Sequence, residues 1–253
     1  MNTYKTVDIA RMFDIHVNTV RLYEECGLIP KPERLSNGYR VFTDLHVEQL
    51  KLARAALQVE VLQNGLRKRA VDIIKTSASG DYEKAEELTR AYMEQVEREI
   101  SNAEEAILIT HKLLSNMEIE SQEKNLLLKR KDAADYLRVT MDTLRNWELN
   151  GLFNVKRLEN GYRVYTANDL QRLKIIRSLR CANYSLSSIL RMLNALSIDP
   201  ESNIREIINT PRQDDDIITA CDKLLTSLQE AKENALFVAR QIEIMKRITG
   251  TED

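Results

Sequence analysis

Arginine and tyrosine side chains recur at matching positions in two segments of the sequence, and both residue types can bind the phosphates and bases of nucleic acids. The stretch NGYRVFT at Asn37–Thr43 returns, with one letter changed, as NGYRVYT at Asn160–Thr166. Upstream of each copy, TVRLYEECGL at Thr19–Leu28 corresponds to TLRNWELNGL at Thr143–Leu152. The chain therefore carries one small module twice.

Both copies predict the same order of elements: helix, turn, helix, two-stranded hairpin and helix. Gly27 and Gly151, matched at an offset of 124, follow helical patterns and suit helix-ending positions. Gly38 and Gly161, matched at 123, each follow an asparagine between short β-prone runs, which predicts a tight hairpin turn. Two short helices with this spacing indicate a helix-turn-helix, whose second helix enters the DNA major groove.

Candidate DNA contacts lie in the second helix and the hairpin of each copy. The helix arginines could bind DNA or form surface salt bridges, and the hairpin tyrosines could contact DNA or pack on the module core. The large aromatic residue of each second helix also suits a core position. The candidates are Asn18, Thr19, Arg21, Tyr23, Arg34, Tyr39, Arg40, Thr143, Arg145, Trp147, Arg157, Tyr162 and Arg163.

The two copies differ at one position that is expected to face DNA. Asn18 suits adenine, whereas its counterpart Asp142 would repel DNA unless it accepts a hydrogen bond from a cytosine amine. We therefore expect the two modules to recognise different half-sites.

The net charge of −2 conceals an uneven distribution. Residues 127–180 hold twelve Lys/Arg and six Asp/Glu, and residues 4–69 hold eleven and eight. The intervening residues 81–124 hold five and twelve. Positive modules around an acidic segment are expected if the modules bind a polyanion, although two ordinary solvated surfaces would give the same counts.

Two long stretches carry apolar residues at alternating spacings of three and four, which is typical of a helix packed on a partner helix. The two stripes match at an offset of 128, so the long helix belongs to the repeat. The first consists of Met93, Val96, Ile100, Ala103, Ile107, Thr110, Leu114 and Met117. The second consists of Ile217, Cys221, Leu224, Leu228, Ala231, Ala235, Val238, Ile242 and Met245.

The connection between the copies favours an antiparallel pair of long helices. A helix over 82–117 would be on the order of 54 Å long. The eight residues Glu118–Asn125 span at most roughly 28 Å, too little to return along that helix. An antiparallel pair within one chain, a pseudo-dimer with its modules at opposite ends, is therefore favoured, and a homodimer with four modules stays possible.

The predicted fold is mainly α, with two winged helix-turn-helix modules, each followed by a long coiled-coil helix, and with the two long helices paired antiparallel. The predicted division is 1–75 for the first module, 81–118 for the first long helix, 119–125 for a linker, 126–196 for the second module, 197–213 for a connector and 214–249 for the second long helix.

Composition excludes several other classes of protein. No run of about 18 apolar residues and no secretory signal pattern occurs, so we expect a cytoplasmic protein without a membrane span. Cys26, Cys181 and Cys221 suggest reduced thiols rather than disulfides, and no Cys/His cluster predicts a metal site. No phosphate-binding glycine loop or nucleophile–His arrangement is recognisable, so neither an enzyme nor a cofactor is expected.

The repeated motifs resemble the MerR family of transcription regulators. The resemblance rests on the two TVRLYE/TLRNWE stretches, the Gly-Leu pairs and the two NGYRV hairpins, and Arg177–Leu193 is similar to the family's helix pair after the wing. It implies dimers joined by an antiparallel coiled coil, with one winged module on each half of a near-palindromic promoter site. It also implies that an effector-bound regulator distorts promoter DNA, so that RNA polymerase is affected indirectly.

The sequence thus predicts a transcription regulator that binds double-stranded promoter DNA through both modules of one chain. A small organic effector could bind where the long helices meet the modules, with Tyr92, Trp147, Tyr184, Met192 and Phe237 as candidate pocket walls. An architectural or recombination-directionality DNA-binding protein without effector control is the alternative. A helical scaffold with degenerate modules is a third possibility.

Overall fold

The structure, a computed structural model, describes residues 2–58, 65–120, 127–157, 161–211 and 219–250, with the backbone alone at 116–120. Two compact units are present, one of residues 1–98 and 227–253 and the other of residues 99–226. Each unit contains one module and part of each long helix. Asn160, Ile217 and linker residues 121–125 lie outside the described residues, as does the side chain of Met117.

The first module is a three-stranded antiparallel sheet surrounded by short helices. Ile9, Val20, Phe42 and Leu50 are fully buried in its core. The strands pair in the order β1-β3-β2. The elements are β1 Thr3–Tyr4, α1 Thr6–Met12, α2 Val17–Glu25, β2 Glu33–Arg34, β3 Arg40–Thr43, α3 Asp44–Leu57 and α4 Leu66–Ala78.

The second module repeats this arrangement with sheet order β4-β6-β5. Leu144, Leu152 and Leu173 are fully buried in its core. The elements are β4 Leu127–Lys129, α6 Arg130–Leu137, α7 Met141–Leu149, β5 Lys156–Arg157, β6 Arg163–Thr166, α8 Ala167–Cys181 and α9 Leu186–Ile198. Both modules are winged helix-turn-helix units, as the sequence predicts.

The turns of the two modules match in their backbone hydrogen bonds. Leu28 N donates to Tyr23 O at 2.8 Å, and Leu152 N donates to Trp147 O at 3.1 Å. Each bond closes the end of the second helix around a glycine of positive φ, +67° at Gly27 and +74° at Gly151. The helix-ending role of the two glycines is therefore confirmed.

The hairpin turn is one residue wider than a two-residue Asn-Gly turn. Gly38 N donates to Leu35 O at 2.8 Å, and Leu35 N donates to Tyr39 O at 2.9 Å. Gly38, the last residue of this four-residue turn, has φ +82°, a conformation that side-chain-bearing residues rarely adopt. The asparagine before it accepts a hydrogen bond from Tyr39 N at 3.2 Å through its side chain, which stabilises the turn.

Two long helices, α5 Tyr82–Glu120 and α11 Leu224–Thr249, follow the modules. In the first unit, Glu86 of α5 pairs with Lys246 of α11 at 3.2 Å. Farther along α5, Glu97 pairs with Lys232 at 3.0 Å. Partner numbers rise along one helix and fall along the other, so the helices pair antiparallel here, as predicted. No helix among the described residues is both long and apolar enough to cross a membrane.

The second long helix begins at Leu224, ten residues later than the predicted 214. A 3-10 helix, Ala220–Lys223, precedes it. Asp222 accepts hydrogen bonds from the backbone and the hydroxyl of Thr219, at 2.8 and 2.7 Å, and closes this turn. Apolar spacing did not reveal the boundary, because a spacing of three to four suits a single 3-10 turn as well as an α-helix.

The connector before it contains a further helix, α10 Ile204–Asn209. The buried Arg191 of α9 donates to Ile207 O at 2.9 Å and to Asp222 O at 3.0 Å. Asn209 Oδ1 accepts from Leu225 N at 2.9 Å, which caps the start of α11. The connector residues that lengthen the second copy relative to the first therefore contact the start of the second long helix.

The buried face of α11 is expected to carry much of the stability of the first unit. Ile242 is fully buried, whereas Ile244 on the same helix is 37% exposed. We expect Ile242→Ala to lower the free energy of unfolding by about 2–5 kcal/mol, because it leaves a cavity. Ile244→Ala should cost less than about 1 kcal/mol. Urea unfolding of the two variants measures both, and equal losses would contradict this packing.

Candidate nucleic-acid interface

The second helix of each helix-turn-helix presents its polar side chains to solvent. In α2, Asn18 and Arg21 are exposed, and Arg21 Nη1 donates to Asn18 Oδ1 at 3.3 Å. In α7, Asp142 and Arg145, also three residues apart, are exposed, and Thr143 is half-buried. Since residues three apart share a helix face, each module presents one polar face.

The aromatic residues of these helices lie on the opposite face. Tyr23 is partly buried against the core of the first module. Trp147 is only 4% exposed. This burial favours the alternative interpretation of Trp147 as a core anchor. Its DNA contact stays a prediction.

The hairpins place their tyrosines in solvent. Tyr39 is 69% exposed and Tyr162 is 65% exposed, so neither packs on its module core. Arg157 is exposed, and the Arg34 side chain is 49% exposed. A partner that covers the wing could therefore reach these four side chains.

The remaining two hairpin arginines are tied to the recognition helices. Arg40 Nε donates to Glu24 at 2.5 Å, and Arg163 Nε donates to Glu148 at 2.9 Å. Their side chains are only 20% and 27% exposed. In this structure these arginines join each wing to its helix, and their contact with phosphate stays a prediction. The repeat could have predicted this pairing, because Glu24 and Arg40 of the first copy recur as Glu148 and Arg163 in the second.

A shared backbone contact also orients the helix that follows each wing. Gln49 Nε2 donates to Leu28 O at 3.0 Å, and Arg172 Nε donates to Leu152 O at 2.8 Å. The residue types differ, yet the same carbonyl, just after the recognition helix, is bound in both modules. Sequence comparison alone missed this pair, because glutamine and arginine do not match as letters.

A cleft beside the second recognition helix brings together arginines that sequence reasoning did not select. It has a volume of about 670 Å³ and contains Arg138, Arg177 and Arg180. Arg138 lies in the turn between the helices, with φ +51°, and its counterpart Asp14 has φ +50°. The two turns have the same backbone and opposite charges. We call this surface the arginine cleft.

The predicted effector-pocket walls divide between the two units. Tyr92 lines a cavity of about 10 Å³ in the first unit, space for about one water molecule. Phe237 is exposed on α11. In the second unit, Tyr184 and Met192 are fully buried, and Trp147 lines the arginine cleft. Tyr184 and Met192 are therefore core residues in this structure, not walls of an open pocket.

The cysteines are all free, with Cys26 and Cys181 exposed and Cys221 buried. Burial raises the pKa of the Cys221 thiol, which disfavours the thiolate that metals require. Within the described ranges, no group of three or more His, Cys, Asp or Glu side chains could hold a metal ion.

Comparisons with known proteins match both modules. Residues 5–42 match the model described as MerR family regulatory protein, and residues 128–196 match the MerR HTH family regulatory protein. The HTH-type transcriptional regulator ZntR of Escherichia coli K12 is 45% identical over 71 residues, 28% of this chain and 50% of that protein. CueR of Escherichia coli O6:H1 is 42% identical over 52 residues, 21% and 38%.

The chain spans at most half the length of these curated relatives. A further CueR, from Vibrio cholerae, is 46% identical over 44 residues, 17% of this chain and 32% of that protein. No solved structure matches the chain. The family-model matches thus fall on the two modules.

The wing–helix ion pair can be measured in a double-mutant cycle. We expect Arg40→Gln and Glu24→Gln to couple by about 1–2 kcal/mol in the free energy of unfolding, because the pair is mostly shielded from water. Arg34 lies 3.9 Å from the same carboxylate and is half-exposed, so its coupling should stay below about 0.5 kcal/mol. Equal coupling at the two arginines would argue against the bridge.

The Tyr92 hydroxyl offers a test by pH. It is buried without a hydrogen-bond partner among the described residues, and burial raises the pKa of Tyr92 to about 12. The unfolded chain ionises this tyrosine near pH 10. Stability is therefore lost as pH rises from about 10 to 12. Tyr92→Phe should flatten that loss without destabilising the protein at pH 7, and an unchanged alkaline slope would contradict the burial.

Proposed function

We propose that this chain, which carries two MerR-family units, is a sequence-specific DNA-binding transcription regulator whose two modules occupy both half-sites of one promoter site. The observation that carries the proposal is the duplicated polar recognition face, each beside an exposed wing tyrosine. MerR-family matches over both modules support it. The antiparallel pairing of α5 and α11 within one chain supports a pseudo-dimer.

In this proposal each contact has a separate role. Asn18, Arg21 and Arg145 lie on faces that enter the major groove and contact base edges, and Thr19 and Thr143 contact nearby phosphates. Tyr39 and Tyr162, with Arg34 and Arg157, lie along the phosphates beside the wings. Distortion of the promoter by the bound protein would then change how RNA polymerase engages it.

An effector response belongs to the same proposal. Within the second unit, α5 and α8 border an open cleft of about 560 Å³. Ile109 and Leu113 supply apolar contacts, and Lys174 and Arg177 supply positive charge. That volume suits a small organic anion. A ligand there would touch both a long helix and the module.

The DNA-binding proposal predicts one chain per full site. A duplex selected from random sequences should bind a single 29.3 kDa chain, as judged by the mass of the complex. Arg21→Ala and Arg145→Ala should each relax sequence preference in a different half-site, by about 1–3 kcal/mol per contacted base pair. Arg205→Ala, which removes an arginine paired with Glu104, is the control.

Two chains per site, or loss of preference in both half-sites from either variant, would refute the pseudo-dimer. In-vitro transcription from the selected site separates the regulator from an architectural protein. A change in transcript yield supports the regulator. Binding that bends the duplex and leaves the yield unchanged supports the architectural alternative.

A further inference from the structure

The arginine cleft of the second module has the composition of an anion site. Its walls come from the helix-turn-helix turn, the recognition helix α7 and the end of α8. Three guanidinium groups line it, and among the described residues Asp142 is the only carboxylate in its wall. Thr143 and Asn146 add further polar atoms. Guanidinium groups bind phosphate oxygens through paired N–H donors, so this wall suits a phosphate better than a carbohydrate or an apolar ligand.

Two arginines of the cleft, Arg138 and Arg180, carry charges that no described carboxylate neutralises. Arg180 Nη1 donates to Tyr184 O at 2.5 Å, which fixes the side chain and leaves its charge unpaired. Arg138 is exposed at a left-handed backbone position. Within the described part of the chain, neither arginine forms an ion pair with a carboxylate. Their positive charge is therefore available to an external anion.

The first module lacks this arrangement at the equivalent positions. Asp14 stands where the second module has Arg138, and Leu57 stands where it has Arg180. The third arginine of the cleft, Arg177, has a counterpart in the first module, Arg54. Arg54 Nη1, however, donates to Phe13 O at 2.6 Å inside the first module. The difference is therefore one of charge on equivalent surfaces and not of fold.

We infer that the arginine cleft binds a backbone phosphate of DNA, which makes the second module the anchoring half of the chain and the first module the weaker half. This inference rests on the proposed function. Asp14 repels the phosphate at the equivalent place, so the first module depends more on contacts to bases and on its wing. The second module therefore contributes more than the first to the salt dependence of DNA binding.

The test changes the residue that each module carries at the shared turn position, Arg138 in the second module and Asp14 in the first. Arg138→Asn removes the cation, and Asp14→Arg adds one to the other module. Arginine, aspartate and asparagine all tolerate a left-handed turn position, and the first two already occupy it here. Asp14→Asn is the matched control, and thermal unfolding verifies that each full-length variant folds.

Binding to the selected duplex is measured across a range of salt concentrations. One lost phosphate contact should reduce the slope of log affinity against log salt by about 1 and lower affinity at 0.1 M salt roughly five- to tenfold. Arg138→Asn should show this loss at every sequence. Asp14→Arg should raise the affinity and steepen the slope, and Asp14→Asn should change the slope by less than half as much.

The same chemistry could serve a small phosphorylated molecule, and the single tryptophan distinguishes the two sources. Trp147 is the only tryptophan and lines the cleft, so its fluorescence reports directly on occupancy. Inorganic pyrophosphate without DNA should bind weakly, in the millimolar range or above. Micromolar binding that Arg138→Asn abolishes, with an unchanged salt slope for DNA, would assign the cleft to a free phosphorylated ligand and overturn the inference.

The remaining outcomes separate this inference from the proposed function. If the wild-type chain selects no duplex, the proposed function fails together with the inference. If the wild-type chain binds DNA and Arg138→Asn keeps the wild-type salt slope, only the inference fails. A loss of slope in Arg138→Asn together with a gain in Asp14→Arg supports the anchoring role.

Discussion

Each module depends on one charged contact, the ion pair that ties its wing to its recognition helix. A two-stranded wing has too little apolar surface to hold a fixed angle to a helix by burial alone. Glu24 with Arg40, and Glu148 with Arg163, supply that angle through short, poorly hydrated contacts. Losing either partner would leave a partly buried charge without compensation. With both partners present, a direct contact joins the helix to the wing.

The same contact explains which features the sequence predicts well and which it does not. Apolar periodicity and paired glycines predict the helices, the hairpins and the antiparallel stripe, because these follow from backbone geometry. The role of Arg40 depends on which acidic side chain lies nearby, and periodicity carries no such information. The predicted start of α11 differs from the observed one for a related reason. Thr219 and Asp222 form the turn before the helix through hydrogen bonds that apolar spacing cannot show.

The two modules agree in their backbone geometry and backbone hydrogen bonding, even where their residue types differ. Gln49 and Arg172 bind the same carbonyl, and Asp14 and Arg138 adopt the same turn, although each pair has changed residue type. Packing and backbone hydrogen bonding restrict the buried positions, where a change costs stability directly. Exposed positions carry no such restriction, so charge can diverge there while the fold is kept.

A single chain with two modules removes a restriction that symmetry places on a homodimer. In a two-fold homodimer, every substitution appears in both halves, so the two DNA-contacting surfaces stay identical. Here one compact unit combines residues 1–98 with residues 227–253, and the other is the continuous stretch 99–226, so each contains one module with portions of both long helices. The two modules are separate parts of the sequence, so a substitution in one leaves the other unchanged. Asp14 and Arg138 carry opposite charges at one backbone position, a difference that a two-fold homodimer of a single-module chain could not have.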